Sequence, residues 1–184
     1  MAWIQTIEEN QASGKLKKIY ESLKKERGKV SRILSVHSLH PRAMQKHLEL
    51  YAAVMFDSSG VSREEREMIA CVVSRKNRCP YCIAHHDEAL FYYWKDREKI
   101  RSLENIDSCD ITDRQTAMLH YAEKLTESPE KTTEKEIKTL RNHGFSDEEI
   151  LTVNLVVSYF NFVNRIALGL GVEADDDEVS GYNY

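Results

Sequence analysis

Apolar residues recur every three or four positions along most of the chain, a spacing that predicts amphipathic α-helices. The predicted helices cover residues 11–28, 42–56, 62–77, 80–95, 112–127, 133–144 and 146–171. Pro41 and Pro80 stand where helices begin, and Ser62 followed by Glu65 forms the capping-box pattern of a helix start. No stretch shows the strict apolar–polar alternation of a half-buried strand. The sequence therefore predicts an all-α protein.

Composition narrows the class of protein. The 184 residues suit a single domain, and 26 lysines and arginines against 30 aspartates and glutamates are typical of a soluble surface. Since no basic block could follow a phosphate backbone, we expect no nucleic-acid partner. The N-terminus lacks the layout of a signal peptide, and no apolar run approaches about 18 residues, so we expect a cytoplasmic protein without membrane contact.

An internal repeat separates reactive from inert positions. With an offset of 84 residues, the segment 60–77 aligns with 144–161, and eight of eighteen positions are identical. This similarity indicates duplication of a helical segment. The polar residues of the first copy are replaced by apolar ones in the second: Glu67 by Leu151, Cys79 by Val163, Cys82 by Ile166 and His86 by Leu170.

The stretch RCPYCIAHH, residues 78–86, contains a Cys-x-x-Cys pair followed by two histidines. If Pro80 is the first helical residue, Cys79 is the N-cap and Cys82 lies in the first turn. Both sulfurs then lie near unpaired backbone N–H groups, which favour the thiolate and lower a thiol pKa from about 8.5. His86 follows Cys82 by four residues and shares its helix face, while His85 follows by three.

A carboxylate on the preceding helix completes this arrangement. Glu67 stands twelve residues before Cys79, and a helical hairpin would bring it back beside the histidine. A carboxylate that orients a histidine, which in turn deprotonates a thiol, is a general way to activate a nucleophile. A second cysteine can then convert a sulfenic acid into a disulfide.

Other uses of these residue types fit less well. A glutaredoxin needs a strand before the dithiol and a cis-proline loop facing it, whereas here a helical pattern precedes the first cysteine. A structural zinc site needs a second pair of ligands, and the remaining histidines are too scattered to supply one. We therefore expect no metal and no bound cofactor. The scattered histidines are His37, His40 and His47. Cys71 is predicted to be a core residue and Cys109 a loop or surface thiol. Three aromatic residues are predicted to lie in the core or at a subunit interface: Tyr159, Phe160 and Phe162.

The spacing from Glu67 through Cys79 and Cys82 to His86 resembles the alkylhydroperoxidase D branch of the carboxymuconolactone decarboxylase-like family. The resemblance covers approximately residues 41–170. It implies an all-helical fold with an internally duplicated helical hairpin, assembly into trimers or hexamers, and thiol-dependent reduction of organic hydroperoxides. Residues 1–40 would then form an N-terminal helical arm, and 171–184 an acidic tail, mobile or lying on the surface.

By that resemblance, Cys82 attacks the peroxide, Cys79 resolves the product, and Glu67 with His86 relays protons. The best-known members carry a histidine just before the second cysteine, where this chain has Tyr81. This departure leaves Tyr81 and His85 as candidates for its role. The implied electron donor is an external dithiol, a lipoyl-bearing adaptor or a peroxiredoxin partner.

Two alternatives stay open from the sequence. The first is a non-catalytic oligomer in which the cysteines sense oxidation or bind a metal. The second is decarboxylation of a muconolactone, but the decarboxylase branch of the family lacks the dithiol. The sequence favours the peroxidase.

Overall fold

The structure is a computed structural model that describes residues 2–179, and every regular element in that range is helical. The α-helices are α1 (Gly14–Arg27), α2 (Arg32–Ser35), α3 (Pro41–Phe56), α4 (Arg63–Lys76), α5 (Pro80–Trp94), α6 (Arg97–Ser102), α7 (Asp113–Glu127), α8 (Glu134–Asn142), α9 (Asp147–Gly169) and α10 (Asp176–Val179). Single 3₁₀ turns lie at Glu9–Gln11, Ile106–Ser108 and Pro129–Lys131. The all-α prediction is confirmed.

The seven longer helices lie where the apolar periodicity predicts them. Within residues 1–170, the periodicity does not predict two short α-helices: α2, with four residues, and α6, with six. Neither helix completes two turns, so neither repeats an apolar position often enough to show a period.

The helix α4 forms the centre of the fold. Every residue from Glu65 to Ser74 is buried, and the helix packs against α5, α7 and α9. A helix that is covered on all sides needs apolar residues around its whole circumference, which the run Met68–Val73 supplies. This position explains why Glu67 on α4 is out of contact with water.

Two matching helix starts show how the repeat is arranged in space. Ser62 and Glu65 form a capping box on α4, and Ser146 and Glu149 form the equivalent one on α9. Arg114 of α7 binds both glutamates, at 2.9 Å from Glu65 and 2.6 Å from Glu149. One arginine therefore ties the two copies together at equivalent positions.

Residues at equivalent positions in the two copies also meet directly. The side chain of Asn77 donates to that of Asn161, 84 positions later, at 3.0 Å. The two copies therefore contact each other through residues at equivalent positions.

The second copy is one continuous helix, whereas the first copy is divided into two. The first copy breaks between α4 and α5, where Arg78 has a positive φ of 53°, and α5 begins at Pro80. The helix α9 continues without interruption, with buried Asn164 at the position that corresponds to Pro80.

By length and composition alone, α9 would also suit a membrane span, but it packs against α3, α4 and α7 in the core.

The two chain ends cover one side of this core. Residues of α1 and α2 pack on Met44 of α3 in a separate apolar cluster. The tail was expected to be mobile or to lie on the surface, and Glu173, Asp175 and Asp177 in its described part are exposed. Val172 and Glu178 are buried, because the tail returns to α5. Residues 180–184 lie outside the described range.

The repeat offers a matched pair of glycines for a stability test. Gly60 and Gly144 both have positive φ, at 69° and 83°. A Cβ at Gly60 would lie 2.7 Å from Oε1 of Glu149, which Arg114 holds in place, whereas a Cβ at Gly144 meets nothing within 4 Å. We expect Gly144→Ala to lower the free energy of unfolding by about 1 kcal/mol through backbone strain, and Gly60→Ala to lower it further. Urea unfolding measures both; equal losses would contradict the proposed contact.

Candidate active site

A cavity of about 690 Å³ opens between α1, α3, α4, α5 and α9. Its deep wall includes buried Cys82, Glu67 and Tyr159, and half-buried His86 lies beside them. Exposed Phe56 and Tyr93, with half-buried Arg27, line the part nearer to solvent. Pockets of roughly 300–1,000 Å³ hold ligands of drug size, so this cavity is larger than hydrogen peroxide requires.

The helix start at Pro80 places the two sulfurs side by side. Both cysteines are reduced and buried, and their sulfurs share a hydrogen bond at 2.8 Å. The hydrogen bond between the two sulfurs, helped by the backbone amides of Cys82 and Tyr81, lowers the pKa of Cys79 although burial opposes it. The same hydrogen bond, together with burial, raises the pKa of Cys82. The sequence predicted a lowered pKa for both, but two adjacent sulfurs stabilise one negative charge between them.

The two cysteines face different surroundings. Both cysteines belong to an apolar cluster with Val36, Ala167 and Val172, but only Cys82 also lines the cavity. A small molecule in the cavity therefore meets the sulfur of Cys82. Cys79 is placed to react with Cys82 rather than with the contents of the cavity.

Glu67 and His86 lie side by side, as expected if α4 and α5 form a helical hairpin. Oε2 of Glu67 lies 2.7 Å from Nδ1 of His86, and Oε1 lies 2.7 Å from Nη1 of Arg63. Burial works against ionisation of Glu67, but His86 and Arg63 outweigh it and hold the pKa of this carboxyl below its usual value. An ionised Glu67 only accepts hydrogen bonds, so Nδ1 of His86 carries hydrogen and Nε2 is left to exchange a proton.

Arg63 is a site residue that the sequence analysis missed. It precedes Glu67 by four residues on α4, so opposite charges stand on one helix face, and this spacing was the available signal. Its guanidinium also lies over the ring of Phe56, 4.6 Å from the centroid, and donates to the hydroxyl of Tyr51. Arg63 thereby links the buried carboxylate to the wall of the cavity.

Tyr81 connects α5 to both ends of the chain. Its hydroxyl accepts a hydrogen bond from the backbone N–H of Ile33 at 3.2 Å and donates to Oε1 of Glu178 at 2.7 Å. The same carboxylate oxygen accepts from the backbone N–H of Arg32 at 2.8 Å. Tyr81, one of the two residues between the cysteines, therefore anchors the C-terminal tail beside the dithiol.

His85 belongs to the same group rather than to the Glu67 pair. Its ring stacks at a tilt on that of Tyr81, with centroids 4.4 Å apart, and its Nε2 lies 3.5 Å from Glu178. Burial lowers the pKa of His85, although Glu178 acts in the opposite direction. The two candidate auxiliary residues thus lie together on the tail side of α5, where both also line the cavity.

A row of hydrogen-bonded polar rings begins at Tyr159 and His47 on the cavity wall and continues to His37 behind them. Nε2 of His47 lies 2.7 Å from the hydroxyl of Tyr159, Nδ1 of His47 lies 3.2 Å from Nε2 of His37, and Nδ1 of His37 lies 2.9 Å from the carbonyl of Ile33. The sequence had treated these histidines as scattered and Tyr159 as a core or interface residue. Because 112 positions separate His47 from Tyr159, no local pattern could link them.

The remaining cysteines take no part in this site. Cys71 is fully buried on α4, as predicted, and burial raises the pKa of its thiol. Cys109 follows a 3₁₀ turn, but it packs into the core and is not a surface thiol. Across residues 2–179, no group of three or more histidine, cysteine, aspartate or glutamate side chains is arranged to hold a metal ion.

A family comparison extends over almost the whole chain. The family model described as PA26 p53-induced protein (sestrin) matches residues 2–184. The chain belongs to this family. Among curated proteins, this sestrin-family chain is similar to the uncharacterized protein YdfG of Bacillus subtilis strain 168, at 24% identity over 146 residues, which are 79% of this chain and 98% of YdfG.

Two solved structures share the fold of this sestrin-family chain. One is an alkylhydroperoxidase AhpD core, an uncharacterized peroxidase-related protein from Ralstonia eutropha JMP134, with 25% identity, a TM-score of 0.87, and coverage of 97% of this chain and 94% of its own. The other is an uncharacterized peroxidase-related protein from Silicibacter sp. TM1040, with 28% identity, a TM-score of 0.84, and coverage of 95% and 94%. The chain is thus AhpD-like, and the resemblance drawn from the sequence is confirmed.

The tail contact makes a testable prediction. Replacing Glu178 by alanine removes hydrogen bonds from a buried carboxylate to Tyr81 and to the backbone of Arg32, so we expect the tail to release more often and Cys79 to become accessible. The rate of thiol modification by a disulfide reagent should rise about threefold or more. Asp177→Ala, at an exposed neighbouring carboxylate, is the matched control and should react as the wild type does. Equal rates in the two variants would rule out a covering role for Glu178.

His47 predicts a pH dependence of stability. Burial, reinforced by His37 and Arg27, lowers the pKa of His47 to about 4 from 6.5. A buried histidine with a lowered pKa contributes stability above its unfolded value, and this stability is lost as the pH falls from about 6.5 toward 4. Urea unfolding across this range should show a smaller loss for His47→Gln than for the wild type, whereas exposed His143→Gln should match the wild type. Parallel curves for all three proteins would contradict the assignment.

Proposed function

We propose that the protein is a thiol-dependent peroxidase that reduces organic hydroperoxides through Cys79 and Cys82. The observation that supports this most strongly is the joint placement of Cys82 and the Glu67–His86 pair on the deep wall of a large cavity. The names of the two similar solved structures, both peroxidase-related, support the same class of reaction.

The first step would consume the hydroperoxide. Cys82 lies within side-chain reach of His86, four residues later on α5, and Nε2 of His86 is available to take the thiol proton. The Cys82 sulfur then bonds to the terminal oxygen of ROOH as the O–O bond breaks. The departing alkoxide takes the proton from His86, which gives ROH and a sulfenic acid on Cys82. Ionised Glu67 stabilises the positive charge that forms on His86 during this exchange.

The second step would form the disulfide. The sulfur of Cys79 attacks that of Cys82, the S–O bond breaks, and the departing hydroxide is protonated to water. The thiolate of Cys79 is the nucleophile in this step. Starting from sulfurs 2.8 Å apart, the disulfide needs only a small displacement. An external dithiol then returns both electrons and both protons, and the net reaction converts ROOH to ROH and water.

The partners and the cellular setting remain predictions. The reductant is proposed to be a small dithiol, a lipoyl-bearing adaptor or a peroxiredoxin partner, and the location is proposed to be cytoplasmic. Assembly into trimers or hexamers is supported by an apolar stripe exposed along α9: Leu151, Leu155 and Phe162. The mass of the protein in solution, measured by light scattering, decides this point.

The competing function is a redox sensor without turnover. A sensor needs the dithiol, but it needs neither a cavity of about 690 Å³ nor a carboxylate–histidine pair at the sulfur. Those two features favour the enzyme, and catalytic turnover separates the two functions.

The roles of the cysteines are tested by trapping the sulfenic acid. Since Cys82 faces the cavity, Cys79→Ser should still form a sulfenic acid on Cys82, which dimedone labels, but should lose turnover by at least 100-fold. Cys82→Ser should lose both the label and the turnover. Cys109→Ala, at a reduced cysteine outside the site, is the control and should keep wild-type rates. The readouts are hydroperoxide consumption with a panel of dithiols and mass spectrometry of the label; a label on Cys79 in Cys82→Ser would overturn the order of attack.

A further inference from the structure

The row from Tyr159 through His47 to His37 has only one consistent set of hydrogen-bond directions when both histidines are neutral. It ends at the carbonyl oxygen of Ile33, which can only accept, so Nδ1 of His37 carries hydrogen. Nε2 of a neutral His37 must then accept from Nδ1 of His47. Nε2 of His47 in turn accepts from the hydroxyl of Tyr159. One backbone carbonyl therefore fixes the orientation of a hydroxyl three hydrogen bonds away.

The surroundings keep these histidines neutral. Within residues 2–179, neither His37 nor His47 forms an ion pair with a carboxylate, and the nearby ionic groups are positive. Burial is the largest cause that lowers the pKa of both. A neutral row is consistent with the directions derived from the geometry, and Tyr159 stays a phenol because burial raises its pKa well above the usual value.

Because the Tyr159 hydroxyl donates to His47, its oxygen can act only as an acceptor toward a ligand in the cavity. Since the hydrogen of Tyr159 is committed to His47, the hydroxyl oxygen retains lone pairs that can accept from a ligand. Tyr159 and Cys82 line the same cavity, and the ring of Phe160 contacts both Tyr159 and His86, with centroids 5.1 and 4.5 Å away. A hydrogen-bond acceptor of fixed direction thus lies on the cavity wall near the reactive sulfur.

We propose that Tyr159 accepts a hydrogen bond from the O–H of the bound hydroperoxide, so that the cavity selects organic molecules that end in an O–H donor. This rests on the proposed peroxidase function. In a hydroperoxide, the oxygen that carries the hydrogen is the terminal one, which the thiolate attacks. A hydrogen bond from that O–H to Tyr159 therefore holds the atom that reacts, and the apolar remainder of the molecule occupies the cavity.

Ligands that cannot react with sulfur test this binding directly. The probes are 2-phenyl-2-propanol, which is an alcohol that such a reaction would produce, and its methyl ether, which lacks the donor. Calorimetry with the reduced wild-type protein should give a dissociation constant about 3–10 times lower for the alcohol, the range expected for one net hydrogen bond. Tyr159→Phe should bind the two equally. Tyr93→Phe, at another tyrosine that lines the cavity, should keep the wild-type ratio.

A second variant reverses the direction of the hydroxyl. In His47→Leu, the acceptor of the Tyr159 hydrogen is lost, so the hydroxyl can turn and donate to the ether oxygen. The methyl ether should then bind as tightly as the alcohol. A preference for the alcohol that persists in both Tyr159→Phe and His47→Leu, with both proteins folded by circular dichroism, overturns the proposal.

Kinetics separates this inference from the function on which it rests. With cumene hydroperoxide, Tyr159→Phe should raise KM about 3–10-fold while kcat changes less than twofold, because the hydrogen bond is present before and during the attack. If no hydroperoxide is turned over but the alcohol–ether preference depends on Tyr159, the peroxidase function fails and the binding inference holds. If turnover occurs and the preference does not depend on Tyr159, the binding inference fails alone.

Discussion

The break between α4 and α5 is the constraint on which the site depends. Asn77 to Cys79 interrupt what the second copy shows as one continuous helix, and Pro80 has no N–H to continue the hydrogen-bond ladder. The break creates a new helix start inside the core, so Cys79 and Cys82 lie at unpaired backbone amides. It also turns α5 back along α4, which brings His86 to Glu67. In the second copy, which lacks the break, the four equivalent positions carry apolar residues, of which only Val163 is buried.

Burying the charge of Glu67 requires partners on two elements. Its carboxylate contacts Arg63 on its own helix and His86 on the next, and a buried ion that lost either would be strongly destabilising. The pair therefore fixes the relative position of α4 and α5 as well as the orientation of the histidine. Stability and chemistry depend here on the same two contacts, so variants at Glu67 need a stability measurement beside any activity measurement.

How far the sequence predicts this site depends on the separation of the interacting residues. The periodic helices, the capping boxes and the Glu67–His86 contact follow from local spacing and from one hairpin, and the sequence anticipated them. Glu178 meets Tyr81 across 97 positions, and an acidic tail with few apolar residues looks like a solvated one. The lowered pKa of Cys79 and the raised pKa of Cys82 come from one hydrogen bond between them, which the positions of the two residues in the helix do not specify. Long-range pairs and shared protons are the parts that sequence patterns do not contain.

The distance between the two sulfurs has a further consequence. They lie one helical turn apart and 2.8 Å from each other while still reduced, so closing the bond between them asks for almost no rearrangement of the backbone. Under the proposed cycle, the molecule would therefore change its oxidation state at nearly constant shape. A protein that reports oxidation to a partner needs the opposite property, a change of form that the partner can recognise. The proposed peroxidase needs only the first property, because its dithiol would pass electrons from a reductant to the hydroperoxide without a change of form.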